Sequence, residues 1–160
     1  MKEKVVIRQA AVTELDSLMR WRMEVLYSVF GIPGEESMPQ LYAANEEYYR
    51  KALADGSHAA CFAEKDSEII GCGGVCFFRE MPSPDNPSGS CAYLMNIYTR
   101  KAFRGKGVGR QVVGWLIEKA RAEGITKIYL ESSDGARSLY AGLGFVPMKN
   151  YLMLGNGEVQ

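Results

Sequence analysis

The sequence predicts an α/β (α+β) fold, one mixed sheet of about six or seven strands flanked by about four helices. Three observations carry that expectation. Apolar residues recur at helical spacing in about four segments and fall in short strand-like runs between them. Two such runs are joined by the short polar turn Lys65-Asp66-Ser67, which reads as a hairpin. A later strand, helix and strand follow one another, which calls for a right-handed parallel crossover.

Residues 5–9 read as the first strand. Thr13 is the expected N-cap of a first helix, with Asp16 three residues on. That helix runs to about Val29, with Leu15, Leu18, Met19, Arg22, Val25, Leu26 and Val29 on one mostly apolar face. Gly31-Ile32-Pro33-Gly34 stops it. A second helix spans about 39–54 and ends at Gly56. Residues 59–64 and 68–78 are the hairpin strands. Three prolines between Met81 and Gly89 forbid helix and central strand there. This loop reads either as the rim of a binding site or as a solvent-facing connection. The fourth strand spans about 90–98. A helix over about 108–123 turns Val108, Val112, Val113, Leu116, Ile117 and Ala120 toward a core. Residues 127–131 form a fifth strand, and Asp134-Gly135 leads into a short helix over 136–143. Residues 145–147 begin a sixth strand, 151–154 make a seventh, and the tail 155–160 frays.

A length of 160 residues fits one domain, residues 1–160. With 47% hydrophobic and 24% charged residues the composition is that of a globular protein. Basic and acidic residues balance at 19 each, so the basic excess of a nucleic-acid binder is missing. No apolar run approaches the roughly 20 residues that span a bilayer, and the N-terminus lacks a signal peptide's apolar core. A cytoplasmic protein is the default. The cysteines, Cys61, Cys72, Cys76 and Cys91, show no metal-ligand spacing, and His58 is the one histidine. No metal is expected. Cys72 and Cys76 share a strand face, as reduced thiols.

The run Arg104-Gly105-Lys106-Gly107-Val108-Gly109-Arg110 sits between the fourth strand and its helix. A strand, a glycine-rich turn and a helix N-terminus together bind phosphate through backbone N–H groups. A P-loop requires Ser or Thr after Gly-Lys, and Gly107 stands there. That argues against an ATP- or GTP-binding site. A dinucleotide fingerprint needs other glycine spacing and an early position. The pattern [R/Q]-x-x-G-x-[G/A], filled by Arg104, Gly107 and Gly109, resembles the GNAT superfamily of N-acetyltransferases. A second element, Leu139-Tyr140-x-x-Leu143-Gly144-Phe145-Val146-Pro147, is similar to that family's C-terminal LYxxLGF signature. The two motifs together cover about residues 90–147.

The resemblance implies a GNAT-like fold and acetyl-CoA (coenzyme A) as co-substrate. It implies transfer of the acetyl group to a primary amine by direct attack in a ternary complex. It places the coenzyme between the fourth and fifth strands. Its pyrophosphate would meet Arg104, Gly105, Lys106, Gly107, Val108, Gly109 and Arg110, and its amide-rich arm Ile97, Tyr98 and Thr99. Ser133 stands where the family often has Asn, and Arg137 and Tyr140 complete the cofactor set. Tyr140 is implied as the general acid for the leaving thiolate. A backbone N–H near Ile97 or Tyr98 is the oxyanion donor. Glu24 or Glu131 is the candidate base, with Asn96 an alternative through a positioned water. Trp21, Glu24, Tyr27, Phe30, Glu35, Glu36 and Tyr42 are the acceptor-side candidates. The acceptor is a small amine, an amino acid, an antibiotic or a protein terminus, and a homodimer is left open. A non-catalytic acyl-CoA-binding or sensing module is the alternative to an enzyme.

Overall fold

The computed structural model describes residues 4–33 and 37–156. Its strands are β1 (Val6–Gln9), β2 (His58–Lys65), β3 (Glu68–Arg79), β4 (Ser90–Thr99) and β5 (Lys127–Leu130). They form one sheet in the order β1-β2-β3-β4-β5. Every pairing is antiparallel except β4 with β5. The helices are α1 (Leu15–Val29), α2 (Pro39–Asp55), α3 (Val108–Ala122) and α4 (Arg137–Gly142). The parallel β4–β5 pair follows from α3, because parallel neighbours need a long crossover. The mixed α/β architecture is the expected one. Among the described residues no helix is long and apolar enough to cross a membrane.

The sheet is buried on both faces. Ala59, Cys61 and Ala63 of β2 face α3, where they join Val112, Val113, Leu116 and Leu94. The intervening Ala60 and Phe62 face α1 and α2, with Met19, Trp21, Tyr49 and Cys72. That period of two is the signature of a strand covered on both sides. Gly73 lets α3 approach closely, since a Cβ there would sit 2.6 Å from Val112 Cγ1. The β2–β3 hairpin turns through Asp66 (φ 51) and Ser67 (φ 66), the left-handed pair whose twist matches the strands.

Two expectations need correction. Thr13 does not cap α1. A single 3-10 turn, Val12–Glu14, precedes the helix. Glu14 fixes this start, accepting from Ala11 N at 2.7 Å and from Arg8 at 2.8 and 2.9 Å. Nor are there six or seven strands. Among the described residues five form, and the segments 145–148 and 151–155 have no ladder partners. Pro147 offers no N–H, and Asn150 at φ 73 turns the chain away. Tyr151, Leu152, Met153 and Leu154 are exposed in consequence.

The sheet opens between β4 and β5. Their ladder runs only from Cys91 opposite Lys127 to Leu94 opposite Leu130. From Met95 onward β4 has a partner on its β3 side alone. The β3–β4 register shifts between Cys72 and Gly74, and Asn96 takes φ 57 there. Such a bulge bends its strand, so the second half of β4 parts from β5 with one backbone edge bare.

Candidate active site

The glycine-rich turn begins where this bare edge ends. A 3-10 turn, Lys101–Phe103, leads to Arg104 in extended conformation. Gly105 (φ 75) and Gly107 (φ 84) are left-handed, and Gly107 precedes the first residue of α3. No side chain caps α3 and no acid stands in its first turn. Gln111 N–H reaches Gly107 O at 3.1 Å. The N–H groups of residues 108–110 have no acceptor among the described residues. Arg104 anchors the turn to β4 by donating from Nε to Thr99 O at 2.7 Å, with its guanidinium over the Tyr98 ring. Lys106 Nζ lies over Phe103, and Arg110 is exposed on the first turn of the helix. Open backbone donors, a helix dipole and three cationic side chains lie within this one turn, a combination that suits an anion.

α4 meets α3 at this same end. A Cβ on Gly109 would touch Leu139 Cδ2 at 3.5 Å. Tyr140 is 9% exposed, its ring edge-on to Phe145. Its hydroxyl has no hydrogen-bond partner among the described residues, and burial pushes its pKa up. Ser133 is exposed and its side chain caps nothing. Arg137 pairs loosely with Asp134 at 3.6 Å. A cavity of about 820 Å³ opens beside β5, lined by Ile117, Tyr129, Tyr140 and Phe145 among others. It lies away from the turn, since no residue of 104–110 lines it.

The acceptor-side and base candidates scatter. Glu24 gives both carboxylate oxygens to Arg100, at 3.1 and 3.2 Å. Arg100 in turn covers the buried Trp21 ring at 4.4 Å. Tyr27 is half-buried, whereas Phe30 and Tyr42 are exposed. Glu35 and Glu36 lie outside the described residues. Glu131 is exposed just past β5 and carries no hydrogen bond or ion pair among the described residues. Asn96 accepts from Arg22 Nη1 at 3.0 Å.

That last contact borders a pocket that the sequence did not reveal. About 240 Å³ in volume, it lies between α1, α2 and the sheet, lined by Arg22, Asn45, Tyr48, His58, Cys76 and Asn96, with Tyr49 and Met95. Tyr48 Oη lies 2.8 Å from His58 Nδ1 and 3.0 Å from Cys76 Sγ. His58 Nε2 is buried without a partner, facing Gly74, where a Cβ would sit 2.8 Å away. The tautomer protonated on Nδ1 leaves only a lone pair in that contact. Nδ1–H then donates to Tyr48, and the Tyr48 hydroxyl to Cys76. Burial pushes the His58 pKa down to about 4, with the Arg22 charge adding to the effect, so the ring is neutral at pH 7. The signals were a lone histidine and an arginine on an apolar helix face. Neither acquires meaning until the sheet brings α1, α2, β2 and β4 together.

Comparison with known proteins agrees with this geometry. The model of the acetyltransferase (GNAT) family matches residues 15–145. An uncharacterized N-acetyltransferase of Escherichia coli (strain K12), YjgM, is 33% identical over 103 residues, 62% of this chain and 58% of that protein. The rat N-acetyltransferase 8B is 29% identical over 62% of this chain and 44% of its own length. The chain thus spans less than two thirds of these relatives. A predicted acetyltransferase of Clostridium acetobutylicum, solved with acetyl-CoA, superposes with a TM-score of 0.82 at 25% identity, covering 95% of this chain and 96% of that one. With the family model matched from α1 to beyond α4, this chain belongs to the GNAT acetyltransferase family.

Proposed function

We propose that the chain transfers an acetyl group from acetyl-CoA to a primary amine by direct attack in a ternary complex. The observation that carries the reading is the open N-terminus of α3, reached through two left-handed glycines beside the unpaired half of β4. The residues present fit coenzyme A. The backbone of 107–110 with Arg104, Lys106 and Arg110 suits its pyrophosphate. The β4 edge beside Ile97, Tyr98 and Thr99, where the Thr99 carbonyl already accepts from Arg104 Nε, would suit its amide arm, much as it would suit an added strand. Ser133 and Arg137, both exposed, would supply further polar contacts to the arm.

The chemistry forms an N–C bond and breaks the thioester C–S bond. A backbone N–H of Ile97 or Tyr98 would be the donor to the carbonyl oxygen on which negative charge builds. Tyr140 donates its phenolic proton to the leaving sulfur, and burial keeps that proton in place until it is needed. Glu131 takes the proton of the attacking amine through a water, because Glu24 holds both oxygens on Arg100. The test is release of free thiol from acetyl-CoA over a broad panel of amines, with coenzyme A binding measured in parallel. Thiol release on at least one amine supports transfer. Coenzyme A binding with no turnover on any amine points to a binding module instead.

A further inference from the structure

We infer that the pocket under α1 and α2 selects an amino-acid-sized amine that also carries a carboxylate, and that Arg22 is the residue that reads the carboxylate. The inference rests on the acetyl-transfer reading above and names its acceptor class.

Charge is the first argument. Among the described residues Arg22 is the only one lining the pocket with a full charge at neutral pH, and none of the acidic ones lines it. His58 is neutral there, and burial pushes the Tyr48 and Tyr49 hydroxyls up, keeping them protonated. A pocket holding one fixed cation and no acid does not hold an ammonium ion as a cation. It does hold an anion.

The state of Arg22 is the second. Elsewhere in the described residues Arg8, Arg50, Arg100 and Arg137 each face a carboxylate, while the exposed Arg20, Arg79 and Arg104 donate to neutral oxygens. Arg22 faces two neutral amides, Asn45 Oδ1 at 2.9 Å from Nε and Asn96 Oδ1 at 3.0 Å from Nη1. These amides, one on α2 and one on β4, fix the plane of the guanidinium and leave its charge uncompensated among the described residues. Three of the five donors an arginine carries, on Nη1 and Nη2, have no partner among the described residues. A carboxylate fits the planar fork of a guanidinium whose remaining donors have no protein partner.

Size and place are the third. A volume of about 240 Å³ is below the ~300–1,000 Å³ usual for drug-sized ligands, so one small molecule fills it. Tyr48, Tyr49 and Met95 offer its body ring faces and a thioether. Asn96 belongs to both the pocket wall and the bulge where β4 leaves β5. A carboxylate seated on Arg22 therefore holds an amine in the same small molecule next to the strand that borders the coenzyme slot.

The experiment compares thiol release from acetyl-CoA with leucine against isopentylamine, and with phenylalanine against phenethylamine. Each pair differs only by the carboxylate. Binding of isocaproate, which has the carboxylate and no amine, is measured by calorimetry. The carboxylate-bearing member is expected to show a kcat/KM at least about tenfold higher, and isocaproate to bind. In Arg22→Gln the preference falls to within about threefold and isocaproate binding is lost, while coenzyme A affinity and melting temperature hold. Should Arg22→Gln melt early, Asn45→Asp serves instead. It keeps the side chain's size, supplies Arg22 with an internal carboxylate, and is expected to abolish isocaproate binding. Equal or better turnover of the decarboxylated amines, or a preference that survives in both variants, overturns the inference and leaves acetyl transfer standing. Isocaproate bound through Arg22 with no amine turned over overturns acetyl transfer and leaves the pocket assignment standing.

Discussion

Tyr140 has a buried ring and a hydroxyl with no partner among the described residues, and it lines the cavity beside β5. Replacing it with Phe keeps the ring packing on Phe145 and removes the proton. Tyr140→Phe is expected to lower kcat by about 10²-fold or more with coenzyme A affinity unchanged. Unaltered turnover would take the acid role away from it. Glu131→Gln is expected to lower kcat/KM by about 10²-fold, whereas full activity would move the base elsewhere. His58 sets a pH limit on stability. Its folded pKa, about 4, lies below the usual 6.5, so the unfolded chain takes up the proton first. The stability it contributes is complete above pH 6.5 and is lost as pH falls toward 4, about 3 kcal/mol at most. The groups around it are Tyr48, Tyr49, Cys76 and Arg22. Glu14 and Glu80 are held below the ordinary carboxylate range by Arg8 and Lys127, so their losses come at lower pH. Urea midpoints measured between pH 7 and 4.5 should fall in the wild type and stay flatter in His58→Asn. The glycine turn ahead of α3 was legible because glycine spacing is a local signal. The pocket around Arg22 was not, because its residues lie on α1, α2, β2, β3 and β4, and only sheet register joins them.

At the scale of elements, the crowded interface is α3 on β3. The Cβ of an alanine at position 73 would sit 2.6 Å from Val112 and 3.0 Å from Leu116. Gly73→Ala is expected to cost about 1–3 kcal/mol, read as a lower urea midpoint at unchanged slope. Gly114 lies inside α3, where a Cβ would meet nothing within 4 Å. It should tolerate alanine with a gain of about 0.4–1 kcal/mol. A gain at both positions would show that α3 does not depend on the close approach. Periodicity revealed four helices and five strands, because each buries a face with its own period. It also predicted strands at 145–147 and 151–154, where the apolar residues are present but a partner is not. A strand is a property of two segments. The pattern in one of them reports readiness to pair, while Pro147 and the turn at Asn150 decide the outcome. The start of α1 was misplaced for a similar reason, since Arg8 on β1 holds Glu14.

Across the whole molecule the 19 basic and 19 acidic residues cancel, so no net charge draws an anion from a distance. On the proposed function, attraction for a coenzyme carrying several phosphate charges arises locally, from Arg104, Lys106, Arg110 and the end of α3. Such a field is confined to about a Debye length, ~10 Å at 0.1 M salt. Raising sodium chloride from about 50 mM to about 500 mM shortens that length to a few ångströms. It should therefore raise the Kd for coenzyme A about threefold to tenfold. Pantetheine, which keeps the amide arm and lacks the pyrophosphate, should bind weakly and with no such dependence, because its contacts are neutral backbone pairs along β4. Lys106→Ala should flatten the coenzyme A curve, weakening binding most at low salt and least at high salt. Lys106 is exposed and makes no ion pair among the described residues, so its loss leaves the fold intact. Equal salt slopes for pantetheine and coenzyme A would place the nucleotide end away from the glycine turn. An unchanged slope in Lys106→Ala would assign the phosphate field to Arg104, Arg110 and the backbone alone.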